Sequence, residues 1–361
     1  MKKLTVGLVL GFLCATAMGF VLSGCGTGGP AASTTSTSTS STSSSTATTT
    51  STTTTTVNGW VRKASLPFAR ARAASVADNQ YVYCLGGFSG DAPQPVNDVT
   101  KYDPNLDQWN SITTLPTSRE DLCAVLVNGK IYTFGGYDGN FSSTVEIYDI
   151  ALDQWSTGSP MPTARAGMCA GAAGNEIYIS GGILLPGGNQ STVEVYNIVD
   201  NSWRTAAAMP MAVYFGTSAM LAGKLYVIGG VNMPPITRMG RMDVSAVISY
   251  PTNEVQIYDP ASDTWTANLD FPIFSLVGGV AGTIGNKLYV AGGAGVITAG
   301  FFSSAEVYSP ATGLWNPIAP MLTPSYLGSS AILNNQLYAI GGMNGEFPSY
   351  VATNEVQVYT R

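Results

Sequence analysis

Lys130-Ile131-Tyr132-Thr133-Phe134-Gly135-Gly136 is a short run rich in β-branched and aromatic residues, closed by a glycine pair. Such a run favours a buried strand, and glycine after it allows positive φ and close approach of a neighbouring backbone. Asn128-Gly129, just before it, has the composition of a tight hairpin turn. The pattern recurs. Glycine pairs stand at Gly86-Gly87, Gly135-Gly136, Gly181-Gly182, Gly229-Gly230, Gly292-Gly293 and Gly341-Gly342, at successive spacings of 49, 46, 48, 63 and 49 residues. A tyrosine precedes each first glycine by three residues: Tyr83, Tyr132, Tyr178, Tyr226, Tyr289 and Tyr338.

Two further columns keep the same register. Tyr is followed seven residues later by Trp at Tyr102/Trp109, Tyr148/Trp155, Tyr196/Trp203, Tyr258/Trp265 and Tyr308/Trp315. Seven residues after Trp come Pro67, Pro116, Pro162, Pro210 and Pro272, with Leu322 in the sixth unit. These columns resemble the kelch motif, whose units of about 50 residues each build one four-stranded blade of a β-propeller. The resemblance covers Trp60 to Arg361 and implies an all-β, six-bladed kelch-type propeller with antiparallel blades. In the second unit, strands a to d are expected at Asp121–Asn128, Lys130–Gly135, Ser143–Asp149 and Gln154–Gly158. The Tyr and Trp rings are expected between adjacent blades, each polar tip finding a partner.

The sixth unit ends at Arg361 before any Trp appears, whereas Trp60 precedes Leu66-Pro67 at the usual offset. The N-terminal strand is therefore expected to join the last blade and close the ring, leaving no open edge. The propeller domain is read as 58–361.

Composition narrows the chemistry. The 361 residues include no His, which excludes Ser-His-Asp and Cys-His triads, His metal ligands and imidazole acid–base steps. Charged residues make up only 11% of the chain, against roughly 25% in ordinary soluble domains. The glycines match neither a phosphate-binding loop nor a dinucleotide fingerprint, which need a strand-to-helix context. Neither a cofactor nor a metal is called for.

The N-terminus speaks of location. Lys2 and Lys3 precede an uncharged apolar run from Leu4 to Phe20, and Leu22-Ser23-Gly24-Cys25 resembles a bacterial lipobox. That resemblance implies a signal peptide over 1–24 and lipidation of Cys25, with a plain membrane-spanning anchor as the alternative. Residues 33–56 are Ser and Thr throughout except Ala47. Such a tract has nothing to bury and reads as a tether, within a lipidated linker over 25–57. The domain is then placed at the bacterial cell envelope, held to the membrane only through lipid. Loss of Lys2 and Lys3 leaves 14 basic residues against 22 acidic, a net charge of −8 without a basic run. Nucleic acid is not an expected partner, and the domain is read as a monomer.

The up-and-down order places d–a and b–c connections on one face. In the d–a segments, three residues after the aligned Pro, stand Arg70, Arg119 and Arg165, then Val213, Ser275 and Ser325. The next column is Ala71, Glu120, Ala166, Tyr214, Leu276 and Tyr326. The widest spacing places extra residues in one b–c connection, including Arg238 and Arg241. One reading is a ligand site at the channel mouth: Arg70, Arg119 and Arg165 for an anion, Glu120 beside them, Tyr214 and Tyr326 as walls, Arg238 and Arg241 on a long loop. The other reading, which the kelch resemblance implies, is that each Arg hydrogen-bonds its own blade. Asp98, Glu146, Glu194, Glu254, Glu306 and Glu355, on strand c, read as part of the repeat. Cys123 and Cys169 occupy equivalent positions in consecutive units and, with Cys84, read as buried free thiols.

Two function classes follow. The first is a non-catalytic module that binds a protein or carbohydrate at the d–a/b–c face. The second is a sugar-active enzyme resembling six-bladed kelch sialic-acid mutarotases, with Glu120 or Asp121 beside Arg119 as the acid–base group. No motif specific to that enzyme is present, and no catalytic residue is assigned.

Overall fold

Gly59–Lys63 pairs antiparallel with Val356–Thr360, from Gly59 opposite Thr360 to Lys63 opposite Val356. The first described strand thus completes the last blade. This computed structural model describes residues 59–90, 94–186, 188–232, 250–271, 276–295, 300–345 and 351–361. Six four-stranded antiparallel sheets are arranged as a β-propeller, and no helix occurs among the described residues. The first five blades lie within 74–114, 123–157, 169–206, 217–270 and 280–318. The sixth is ordered Ser329–Leu333, Gln336–Ile340, Val356–Thr360 and Gly59–Lys63 from its inner to its outer edge.

In the second blade the strands are Cys123–Val127, Lys130–Phe134, Val145–Asp149 and Gln154–Thr157. They match the expected strands to within two residues at each end. Asn128 and Gly129, at φ 51° and 73°, form the expected tight turn, as Ala222 and Gly223 do in the fourth blade. Tyr and Trp rings of the first five blades pack tilted against each other at 5.0–5.2 Å between centroids. Their polar tips reach outward. Trp109 Nε1 donates to the Ala64 carbonyl at 3.0 Å and Trp203 to that of Ser159 at 2.8 Å, each crossing to the preceding blade. Tyr102, Tyr148 and Tyr258 donate to Asp107, Asp153 and Asp263 at 2.6–2.7 Å.

The buried apolar residues divide accordingly. One cluster fills each of the six inter-blade seams, and a seventh gathers at the axis. Cys84, Cys123 and Cys169 are buried and free, as expected, and burial pushes the Cys123 and Cys169 thiols up to about 12. They pack as small apolar groups.

Candidate functional site

The glycine pairs show how one blade meets the next. A Cβ on Gly135 would lie 2.5 Å from the Arg165 carbonyl oxygen of the following blade, so no side chain fits there. The next N–H, that of Gly136, donates to the same oxygen at 2.9 Å. The contact recurs at every seam: Gly87 to Arg119, Gly182 to Val213, Gly230 to Leu276, Gly293 to Ser325 and Gly342 to Arg70, at 2.7–2.8 Å. Neighbours therefore grip the arginine column by its backbone.

Its side chains turn into their own blades. Arg119 donates to Glu146 at 2.6 Å, to Thr133 Oγ1 at 3.0 Å, and to the carbonyls of Gly135 and Thr144. Arg165 reaches Glu194 at 3.1 Å with the carbonyls of Ile179 and Thr192, and Arg70 reaches Asp98 at 3.1 Å with that of Gly86. All three are 0–1% exposed. The open guanidinium cluster considered from sequence does not form, because strand c supplies each Arg with a carboxylate. The strand-c acids are thereby explained: in the first three blades they neutralise this column.

The fifth blade departs from the pattern. Leu276 stands in the arginine column, eleven residues after Trp265 where the other units have ten. The strand-c Glu306 consequently meets no guanidinium. Its Oε2 is buried without a hydrogen-bond partner, and burial raises its pKa.

Two residues beyond the arginine column, the chain forms a second ring around the axis. Arg72, Asp121, Gly167, Phe215, Gly278 and Leu327 all have φ between +54° and +66°. Each donates its N–H to the carbonyl of the preceding member at 2.8–3.0 Å, and Arg72 donates to Leu327, so the circuit is closed. These residues and their successors line an axial cavity of about 100 Å³. That is room for roughly three waters or one small polar group.

The cavity's charge is concentrated on one side. Arg72 Nε donates to Asp121 Oδ1 at 2.9 Å and Nη2 to Oδ2, while Nη1 donates to Glu120 Oε1 at 2.9 Å. Its guanidinium also stands 5.6 Å from the centre of the Phe215 ring. Burial opposes the Arg72 charge, but Asp121 and then Glu120 outweigh it and raise its pKa. Glu120 Oε2 is buried with no partner, and burial pushes this carboxyl up to about 7 against the pull of Arg72. Both oxygens of Asp121 accept from Arg72, so a proton held by the pair belongs on Glu120.

Sequence reading placed Glu120 and Asp121 beside Arg119. They instead face Arg72, because Arg119 turns back to Glu146. Arg72 was missed; its signal was an Arg at the position occupied by Asp121 in the next unit. Tyr214 and Tyr326, 3% and 7% exposed, belong to the axial apolar cluster with Phe215, Ile183 and Met343. They pack there rather than standing as open walls. Arg238, Arg241 and Cys25 lie outside the described residues. Among the described residues, no group of three or more His, Cys, Asp or Glu side chains is placed to hold a metal ion.

With blades, seams and axis defined, similarity to known proteins can be stated. A family profile described as the KLHDC2/KLHL20/DRC7 Kelch-repeats domain matches residues 28–182, and the Kelch motif matches 164–210, 213–267 and 276–322. The chain carries kelch repeats. Kelch-like protein 30 of Homo sapiens is 32% identical over 87 residues, 24% of this chain and 15% of that protein. Kelch repeat protein C2 of Vaccinia virus (strain Western Reserve) is 34% identical over 76 residues, 21% of this chain and 14% of that protein. The matches thus span less than a sixth of those curated relatives. The solved structure of YjhT aligns with this kelch propeller at TM-score 0.66 and 17% identity, over 81% of this chain and 95% of that one. At that identity the likeness concerns fold alone.

Proposed function

We propose that this chain is a membrane-tethered kelch propeller that holds a protein or glycan ligand at its d–a/b–c face without turning it over. The observation carrying the reading is the axial Arg72–Glu120–Asp121 cluster. Most polar contacts in the propeller repeat from blade to blade and serve folding, whereas among the described residues this cluster occurs once, at the axis. Kelch-repeat propellers generally bind proteins, which favours a binding role. The tether rests on the lipobox-like Leu22–Cys25 and the Ser/Thr tract behind it.

A second reading, a sugar-active enzyme, has one observation in its favour. A carboxyl near pH 7 with a free oxygen can both take and give a proton under ordinary conditions.

The test is calorimetric titration of the full-length protein with neutral and charged glycans and envelope proteins, beside an NMR assay for sugar turnover. Saturable binding without turnover, weakened in Asp121→Asn, supports the module. Anomer interconversion or hydrolysis lost in Glu120→Gln supports the enzyme. Membrane association that survives Cys25→Ser would remove the lipid anchor from the proposal.

A further inference from the structure

We infer that the ligand group received at the axial mouth is a cation that donates hydrogen bonds, an ammonium or a guanidinium, and not an anion. The inference rests on the proposed d–a/b–c ligand face and names the chemistry that this face selects.

Charge decides it first. Arg70, Arg119 and Arg165 are each buried against their own carboxylate, and Arg72 is shared by two. Among the described residues the axial cluster therefore holds two carboxyl groups and one guanidinium, and offers an incoming anion no arginine without an acidic partner. Hydrogen bonding decides it second. In its ionised form Glu120 presents Oε2 as a buried acceptor with no donor, and a buried unpaired polar atom is destabilising until it gains one. A carboxylate or sulfate ligand brings only acceptors, whereas an ammonium or guanidinium brings the missing N–H.

The surroundings agree. Phe215 already carries one guanidinium over its ring, and Tyr137, Tyr214 and Tyr326 stand in the same layer. Ring faces attract cations, more strongly where water is excluded. The small axial cavity beside this layer is lined by Arg72, Asp121 and Phe215, and Glu120 adjoins it through Arg72. Glu120 is only 4% exposed, so its rings must shift for the cation to enter, and single small probes bind weakly.

The charged and titratable groups around Glu120 are Arg72 and Asp121 in the cluster, Tyr137 bridged to its backbone, and Tyr326 near Arg72. Burial raises both carboxyls of the pair, and Glu120, whose Oε2 has no partner, is the one pushed up to about 7. A cation prefers its ionised form. For a carboxyl at about 7, that form rises from about a tenth at pH 6 to about nine-tenths at pH 8. Cation affinity should rise about tenfold across that interval.

The experiment titrates the full-length protein by NMR and calorimetry with methylguanidinium, Nα-acetyl-lysine amide, glucosamine, and the anions acetate and glucuronate. The expected result is saturable binding of one or more cations, about tenfold tighter at pH 8 than at pH 6. Glu120→Gln should weaken it at least tenfold and abolish the pH dependence. Preference for acetyl-lysine amide or methylguanidinium points to a protein side chain, and preference for glucosamine to an amino sugar. If Glu120→Gln fails to fold, the wild-type pH series and Phe215→Leu test the same point. Saturable anion binding that is lost in Asp121→Asn would overturn the cation inference and keep the ligand face. Binding by none of the probes at either pH would overturn both.

Discussion

The N–H of Gly342 donates to the carbonyl oxygen of Arg70 at 2.7 Å, joining the last blade of the propeller to the first. A Cβ on the adjacent Gly341 would run into that same oxygen. The seam thus leaves no space at one residue and takes a hydrogen bond from the next, and six such seams hold the ring. Gly341→Ala should lower stability by about 3 kcal/mol or more, because backbone atoms must move apart. Gly129→Ala, at a turn where a Cβ would meet nothing within 4 Å, should lower it by only about 1 kcal/mol, from its positive φ. Urea unfolding of both variants gives the comparison.

Glu146 and Glu306 occupy the same place in two blades but have opposite consequences. Glu146→Gln leaves the fully buried Arg119 without its carboxylate and should destabilise by about 3–5 kcal/mol. Glu306→Gln removes a buried carboxyl that has no guanidinium and should leave stability unchanged or raise it. Equal losses from the two substitutions would show that the fifth blade does neutralise Glu306.

The chain has no His, so its stability between pH 5 and 8 follows raised carboxyls. Glu120, Asp121 and Glu306 have folded pKa values above their ordinary ones. In that interval the folded state binds more protons than the unfolded, and stability falls as pH rises through about 7. Asp107, Asp149, Asp263 and Glu176 are shifted downward, and their contribution is lost as pH falls below the ordinary carboxylate range. Melting temperature should therefore peak in mildly acid solution. In Glu120→Gln the decline toward pH 8 should be shallower.

Removing 59–67 deletes the outer strand of the sixth blade, together with Trp60, whose Nε1 donates to the Ala319 carbonyl at 2.9 Å, and the buried Leu66. The exposed edge of Val356–Thr360 should prevent a cooperative transition. Circular dichroism melting and gel filtration would detect a broadened transition and aggregation. A sharp wild-type melt would contradict the closure.

Much of this architecture was legible because geometry repeats it. The first glycine of each pair must be glycine, since the next blade's carbonyl occupies the place of its Cβ at all six seams, and the second is crowded by its own blade. The missing Trp after Tyr359 and the surplus Trp60 likewise disclosed the closing strand. Side-chain direction was less legible. Arg119 and Glu146 lie 27 residues apart, and nothing in either column alone says that one bends back to the other. The Leu276 register slipped because Pro272, the reference point for that unit, lies one residue farther from the axis ring than its counterparts. Arg72 was missed for a different reason: it occurs once, and a search for columns finds what recurs. The axial cluster is what the repeats do not dictate.

The pairing of Gly59–Lys63 with Val356–Thr360 also sets an order of events. The two paired strands lie far apart along the chain, and Arg62 meets Glu355 across 293 positions. While the chain is being synthesised, blades one to five can form in turn from nearby segments. The segment beginning at Gly59 must wait for its partner until Val356–Thr360 emerges. A contact of such long range forms late and slowly. Until Val356–Thr360 has been made, the sixth blade lacks the strand that Gly59–Lys63 pairs with, so the ring stays open through most of synthesis.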